Sequence, residues 1–505
     1  MSEAKKNCPP LYSFDFNHSV KLRNESPRIT SNAGALLLRE VDHKLGVVDS
    51  LANDLFDPRD NRFTRYSMAE LLRERLYAFA TGHARQDDVD ILAHDPAFKT
   101  AVWDRAGDVV ADERLASQPT ASRLIDMLTQ GDNRLTLGRH TATPILRHLR
   151  QSGNDRKVSL GVIDIDGFPI ETHGQQEGAA HNGYYRKTIY SPLVAYFSPE
   201  GTFESDRLGE GFLHAMLRDG NAAPADWAEL VLDEAVDKAR EMAQTVAVRM
   251  DAGFASAKVL NHLNAKGVKF TARLPANAAL ERLAANLVAR PAGRPTRDGY
   301  EFAIDFHGYR NPDWDEDYRV VLVVVDKPGR DGALSLFPHH FFLVTNWPTQ
   351  RFQVWDLLSH YRKRGTFEDR LGEWNAFGVN LSHNDFGKNE VTLLLSMLAF
   401  NLCAVLRGEM ESASDSRTDA PAAPEESGMD MGRFCNLMLK VGATLTRGGR
   451  RLCFDIAQGI APLWCILLKR LGRFLPPPQT PLLTPMQNAF TPLPEHAFRT
   501  FTPRL

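Results

Sequence analysis

Val158-Ser-Leu-Gly-Val-Ile-Asp164-Ile-Asp166-Gly167 is the stretch on which the reading of this chain turns. Its apolar residues suit a buried strand, and it follows about 155 residues whose apolar periodicity is helical. Side chains of an extended strand alternate between faces, so Asp164 and Asp166 share a parity and project from one side. A single aspartate at a strand end is often only a turn former. Two acids facing one way ask for another reason.

Working outward, strand-like Thr188–Phe197, an amphipathic stretch Asp226–Met242, apolar Val246–Met250, helical Ser256–Lys266 and strand-like Val268–Leu274 follow in turn. Strands alternating with helices predict an α/β fold. The runs YEFAIDFHGY, YRVVLVVVD and HFFLVTN then make a β-rich block, read as an insertion over about 276–346, before a helix at about Phe352–Trp374. Upstream, residues 1–155 read as a mostly helical domain, the expected DNA-binding part, with apolar stripes in Ala35–Leu55 and Met68–Ala80. Residues 156–408 are then the α/β domain.

The remainder reads differently. Glu409–Asp430 carries seven acidic residues against one arginine among Ser, Ala and Pro, too little apolar surface to fold, and predicts a disordered linker. Over 431–475 the balance reverses, with eight Lys or Arg between Gly432 and Arg473 against the single Asp455. That predicts a basic helical segment, serving either as a polyanion contact or as a solvated face. Residues 476–505 hold eight prolines and read as an extended tail.

Sixty Lys and Arg against sixty-three Asp and Glu leave a net charge of −3, so bulk charge alone does not hold this chain to a polyanion. Any such site is local. The opening residues lack the apolar core of a secretory signal, and the longest apolar run, Val391–Leu406, is interrupted by Thr392, Ser396 and Asn401. It reads as a buried core helix rather than a membrane span, and no membrane partner is expected. Cys8, Cys403, Cys435, Cys453 and Cys465 include no CxxC pair, which supports neither a disulfide framework nor structural zinc. A cytoplasmic location is the expectation.

Two further carboxylates join the first pair. Asp251 ends the strand Val246–Met250 and is followed by Ala252-Gly253-Phe254, and ligands bind at the carboxyl ends of strands in α/β sheets. Glu368 closes Tyr361-Arg362-Lys363-Arg364-Gly365-Thr366-Phe367-Glu368, where helical spacing puts Tyr361, Arg364 and Glu368 within about 60° of one another. Carboxylates gathered without counter-charge repel unless a divalent cation lies between them. Mg²⁺ suits such hard oxygen ligands, and a pair of ions about 4 Å apart stabilises both oxygens of an in-line displacement. Phosphoryl transfer is the chemistry this predicts, with Arg364 and Tyr361 as contacts to phosphate oxygens. Trp347 is read as a core anchor rather than a base-stacking residue, and His173 and His181 as hydrogen-bonding residues rather than ligands. Leu115–Leu124 reads either as the turn and recognition-helix start of a helix-turn-helix, with Ser122 and Arg123 facing DNA, or as a plain N-capped helix.

Taken together, these residues resemble the DDE-type transposases of bacterial insertion sequences, the group whose glutamate lies in a Tyr-x-x-Arg-x-x-x-Glu signature. Asp164-Ile-Asp166-Gly-Phe-Pro-Ile-Glu-Thr-His173-Gly-Gln-Gln-Glu-Gly178, with Asn182-Gly-Tyr-Tyr185, is similar to the first-aspartate block, and Arg249-Met-Asp251-Ala-Gly-Phe254 to the second. Thr30–Gly34 and Leu115–Arg123 are also similar, so the resemblance spans about residues 14–407. It implies a ribonuclease H-like core with a β-rich insertion before the glutamate helix. It further implies that Asp166, Asp251 and Glu368 bind two Mg²⁺ ions, with Mn²⁺ as a substitute. The implied reaction is hydrolysis at the terminal inverted repeats of a transposon, followed by attack of the freed 3′-hydroxyl on target DNA, with no covalent protein–DNA intermediate. Pairing of two ends implies a homodimer on double-stranded DNA.

Two departures from the family pattern stand out. Phe168, Pro169 and Ile170 replace the usual Thr and two Asp after the first catalytic aspartate, which leaves Asp164 open as an alternative or partner to Asp166. Asn375 stands where the family often has a lysine. The rival readings are a ribonuclease H-like nuclease without strand transfer and a transposase-derived DNA-binding protein without catalysis.

Overall fold

The computed structural model describes residues 12–13, 21–22, 28–103, 114–152, 157–200, 208–290, 299–327, 337–415, 429–448 and 451–474. The proline-rich segment 476–505 and the linker residues 416–428 lie outside them.

Helices dominate the first part: α1 (Ala35–Leu45), α2 (Val47–Asp54), α3 (Met68–Ala80), α4 (Pro96–Val102), α5 (Gln118–Leu128), α6 (Asn133–His140) and α7 (Thr143–Ser152). Local signals set their ends. Ser67 and Glu70 form a reciprocal capping box on α3, and Gly46 takes a left-handed φ of 62° between α1 and α2, where a side chain would be strained.

Three strands follow, β1 (Val158–Gly167), β2 (Leu193–Glu200) and β3 (Gly211–Met216), then α8 (Ala228–Met242), β4 (Ala243–Met250), α9 (Ala257–Ala265) and β5 (Lys269–Leu274). After α10 (Ala278–Val288) come β6 (Tyr300–Asp305), β7 (Arg319–Asp326) and β8 (His339–Thr345). All eight strands form one mixed sheet in the order β6-β7-β8-β5-β4-β1-β2-β3. Strands β1, β4 and β5 are parallel, and every other neighbouring pair is antiparallel. The parallel strands are covered on both faces, which is why they read as continuous apolar runs. The β-rich block therefore extends the main sheet from the edge of β5.

The segment expected as one helix is two. α11 (Val354–Arg362) and α12 (Arg364–Ala376) meet at Lys363, beside Gly365, whose missing side chain lowers helix propensity. The apolar run expected in the core lies in α13 (Phe386–Asp415), which is long and apolar enough to cross a membrane. Its apolar window is wholly buried inside the protein, against α3, α6, α7 and β3.

Two expectations from composition need correction. Within the mostly helical N-terminal part, Ile29–Thr30 is a strand, paired through Thr30 with Ala443 of a C-terminal hairpin, Ala443–Gly448 and Arg451–Ile456. The segment 431–475 accordingly mixes this hairpin with α14 (Ala461–Leu471) instead of being helical throughout. Finally, α13 runs into the acidic stretch, where Glu409 and Glu411 are buried. Glu409 accepts hydrogen bonds from His148 (2.7 Å) and Arg470 (2.7 Å), partners that composition does not reveal.

Candidate active site

Strand register gathers the first two acids. In the parallel pair β1 and β4, Asp164 lies beside Arg249 at the end of the ladder, so two residues further on Asp166 and Asp251 leave the same edge of the sheet, near enough for the Asp251 charge to act on Asp166. Each carboxylate is steadied by a nearby backbone amide. Gly167 N–H donates to Asp166 Oδ1 (2.8 Å), and Gly253 N–H donates to Asp251 Oδ1 (2.9 Å).

The third acid arrives on α12. Arg364 donates from Nη1 to Glu368 Oε1 (2.7 Å), one helical turn on, and from Nη2 to Asp166 Oδ2. One guanidinium thus bridges the strand acid and the helix acid. Among the described residues, no group of three or more His, Cys, Asp or Glu closes tightly enough to hold a metal ion as it stands. The side chain lying between Asp166 and Glu368 is Arg364.

The electrostatics match that picture. Burial raises the Asp166 carboxyl, Arg364 pulls it down, and Asp251 and Glu368 push it up again, leaving it at about 6. Burial opposes the charge on Arg364, but attraction to Asp166, Asp251 and Glu368 outweighs it and raises its affinity for the proton. Burial likewise raises the Tyr361 hydroxyl, with Arg364 and Arg273 opposing and the charges of Asp251 and Glu368 adding. Tyr361, on α11, therefore sits within the field of the same cluster despite the helix break.

Asp164 and Asp166 share a strand face but not an environment. Asp164 is buried and grips Arg249 bidentately, at 2.9 Å to Nε and 2.6 Å to Nη2. Arg249 also donates to the carbonyl of His360 (2.9 Å) and faces Glu200 (3.4 Å), tying β1 and β4 to α11. Burial alone would raise Glu200, but the hydrogen bond and charge of His360, with Arg249 and Lys363, hold it at about 2. Asp164 is thus committed to a buried ion pair, whereas Asp166 faces the acids.

The other sequence-selected residues are spread more widely. Trp347 is buried and packs on Phe352 at 4.8 Å, as a core residue. Asn375 is on the exposed side of α12. Phe168 packs against Trp374 of α12 at 5.5 Å, joining the strand end to the glutamate helix. Ser122 donates to Gln86 (3.2 Å) and accepts from Gln118 (3.1 Å), while Arg123 is exposed. Arg123 lines a surface cavity of about 770 Å³ with Arg59, Arg65 and Arg114. Ser117 stands at the N-cap position of α5 without a side-chain capping bond.

Two groups escaped the sequence reading. Arg218 donates to the carbonyls of Ala223 (3.0 Å), Pro224 (3.0 Å) and Asp226 (2.9 Å), clamping the loop after β3, and it lies against Gly167 beside Asp166. Tyr185 stands close enough to Asp166 and Asp251 that, after burial, their charges raise its hydroxyl. The paired tyrosines of Asn182–Tyr185 were the available signal for the second.

A family model described as transposase DDE domain group 1 matches residues 12–472. No curated protein sequence matches the chain significantly. Among solved structures, a piggyBac transposase synaptic complex with hairpin DNA, determined by cryo-EM, is similar at 11% identity and a TM-score of 0.41, covering 80% of each chain.

Proposed function

The chain belongs to the transposase family with a group 1 DDE domain, and from that premise we propose that it is a DNA transposase whose active-site carboxylates are Asp166, Asp251 and Glu368. The observation that carries this reading is the pairing of Asp164 with Arg249, which sets Asp166 beside Asp251, while Arg364 links Asp166 to Glu368. The five-stranded part β3-β2-β1-β4-β5, antiparallel on one side of β1 and parallel on the other, supports the ribonuclease H-like core that the resemblance implies.

The residues present fit a hard divalent cation. They offer oxygen donors only, and Asp166 ionises reluctantly in its buried place, which a nearby positive charge relieves. Asp166, Asp251 and Glu368 would hold Mg²⁺, or Mn²⁺ in its place, with two ions per site. Bound there, the ions supply Lewis-acid stabilisation of the attacking and leaving oxygens of an in-line displacement. The chain's own groups do the rest. Arg364, released from the acids, has the planar fork that grips a phosphate through two bonds, and the Tyr361 hydroxyl donates to a further phosphate oxygen. The amides of Gly167 and Gly253 keep their carboxylates aimed, and the Asp164–Arg249 pair fixes the strand register.

The substrate in this reading is double-stranded DNA: the terminal inverted repeats of an insertion sequence, cleaved and then joined through their 3′-hydroxyls to a target, by a homodimer holding two ends. Arg123, exposed beside other arginines, serves as a backbone contact; Ser122, engaged with Gln86, would need to turn outward to join it.

The test supplies the purified chain with a donor plasmid carrying the DNA that flanks its gene, a target plasmid, and Mg²⁺ or Mn²⁺. Excision and joined product are expected from the intact chain. Asp166→Asn, Asp251→Asn and Glu368→Gln should each lower both by at least about 100-fold while retaining DNA binding. Cleavage that survives Asp166→Asn overturns the site assignment, and hydrolysis without joined product turns the reading to a nuclease.

A further inference from the structure

Between β1 and β2 the chain builds a small separate sheet in the order Ile170–Glu171, Lys187–Tyr190, Ala180–Asn182. Its turn carries two aromatic rings into solvent: Tyr184 is 88% exposed and Tyr185 43%, set edge to face at 5.0 Å. The turn is held firmly. Asn182 Oδ1 accepts from the amides of Tyr184 (3.0 Å) and Tyr185 (3.3 Å), Arg186 N–H donates to the Asn182 carbonyl (2.7 Å), and Asn182 Nδ2 donates to Gly220 O (2.9 Å). Gly220 is pressed so closely on the hairpin that an added Cβ would lie 2.0 Å from the Ile189 carbonyl. The same loop, clamped by Arg218, reaches Gly253 through Pro224, where an added Cβ would be 2.9 Å away. Hairpin, loop and Asp251 turn are therefore packed in succession. Arg186, at a left-handed φ of 55°, is exposed at the tip and makes no ion pair among the described residues.

A fixed, solvent-facing tyrosine pair beside acids that act on a polynucleotide has a specific use. In an intact duplex the base faces are stacked on each other, and an aromatic ring gains little there. An unpaired base offers its whole face, and aromatic stacking on it is insensitive to sequence. We infer that the Tyr184–Tyr185 turn is a stacking platform for an unpaired base of the DNA strand that enters the carboxylate site, with Arg186 on the adjoining phosphate. This rests on the transposase reading and adds a contact to a base where that reading supplies contacts to backbone.

The test measures fluorescence anisotropy of the full chain with a fluorescein-labelled single-stranded oligonucleotide of mixed sequence and with the blunt duplex of that sequence, across a salt series. The Tyr184→Ala, Tyr185→Ala double variant should bind the single strand about 10- to 100-fold more weakly, while duplex binding changes by less than about 2-fold. Its salt dependence should stay that of the intact chain, whereas Arg186→Ala should flatten it by about one phosphate contact. Replacing both tyrosines with Trp should restore single-strand binding, which separates stacking from folding. Unchanged single-strand affinity in the double alanine variant, or equal losses on both probes, would falsify the platform while leaving the transposase reading intact. Failure of the intact chain to bind either probe overturns both.

Discussion

Asp164 and Asp166 point to the same side of one strand two residues apart, and the difference between them lies in what each one meets. Asp164 neutralises Arg249 in the interior, at side-chain exposures of 1% and 3%. Removing one member of such a pair strands the other charge without water, so Asp164→Asn should destabilise the fold by about 3–5 kcal/mol in denaturant titrations. Asp166→Asn, at a place where the folded protein already disfavours the charge, should stay within about 1 kcal/mol. The reverse ranking would mean the structural and functional roles have been exchanged. Glu74 offers a pH test. Burial pushes its carboxyl up to about 8, against which, among the described residues, only the Ala116 amide donates to it. A folded pKa above the unfolded one gives stability that is complete below about 4.3 and is lost as pH rises toward 8. Glu74→Gln should therefore unfold at an increasingly higher temperature than the intact chain between pH 5 and pH 8, with no further gain above it. Parity along a strand was legible in the sequence; the identity of the cross-strand neighbour was not, because residues 164 and 249 are adjacent only through register.

Elements show the same division between local pattern and distant partner. The strands β1, β4 and β5 and the three later strands follow from their apolar runs, and α13 from the length of Val391–Leu406. The polar interruptions in that run looked like reasons against a membrane, and one of them turns out to join three elements. Asn401 Nδ2 donates to the carbonyls of Thr141 (2.7 Å) and Phe212 (2.8 Å), and its Oδ1 accepts from Phe212 N–H (2.9 Å). Asn401→Leu would leave three buried backbone groups without partners and should cost at least about 3 kcal/mol, read as a lower denaturant midpoint. An unchanged midpoint would show that the backbone finds other partners. The end of α13 departs from its composition for the converse reason. Acidic composition announces a linker only while the acids are solvated, and Glu409 meets His148 and Arg470, residues far away in sequence.

At the scale of the whole molecule, the two described ends of the chain close on each other. Ala33 and Gly34 donate backbone hydrogen bonds to Val441 (3.0 Å) and Leu439 (3.1 Å), and an added Cβ on Gly34 would fall 2.1 Å from Leu439 Cα. The C-terminal residues Phe434, Met438 and Leu467 are buried in the same core as α1 and α13. Truncation after Asp415 should therefore abolish the single cooperative thermal transition and open the helical part to limited proteolysis. A truncated chain melting at the temperature of the full one would contradict this. Basic composition over 431–475 concealed the closure, because the exposed charges alternate with apolar residues that distant elements, α1, α12 and α13, cover. The closure also has a consequence in time. Thr30 leaves the ribosome roughly 20–80 s before Ala443 at ordinary elongation speeds. Until α13 and then the C-terminal segments emerge, near the end of that interval, the apolar side of the nascent helical layer has no lid of its own.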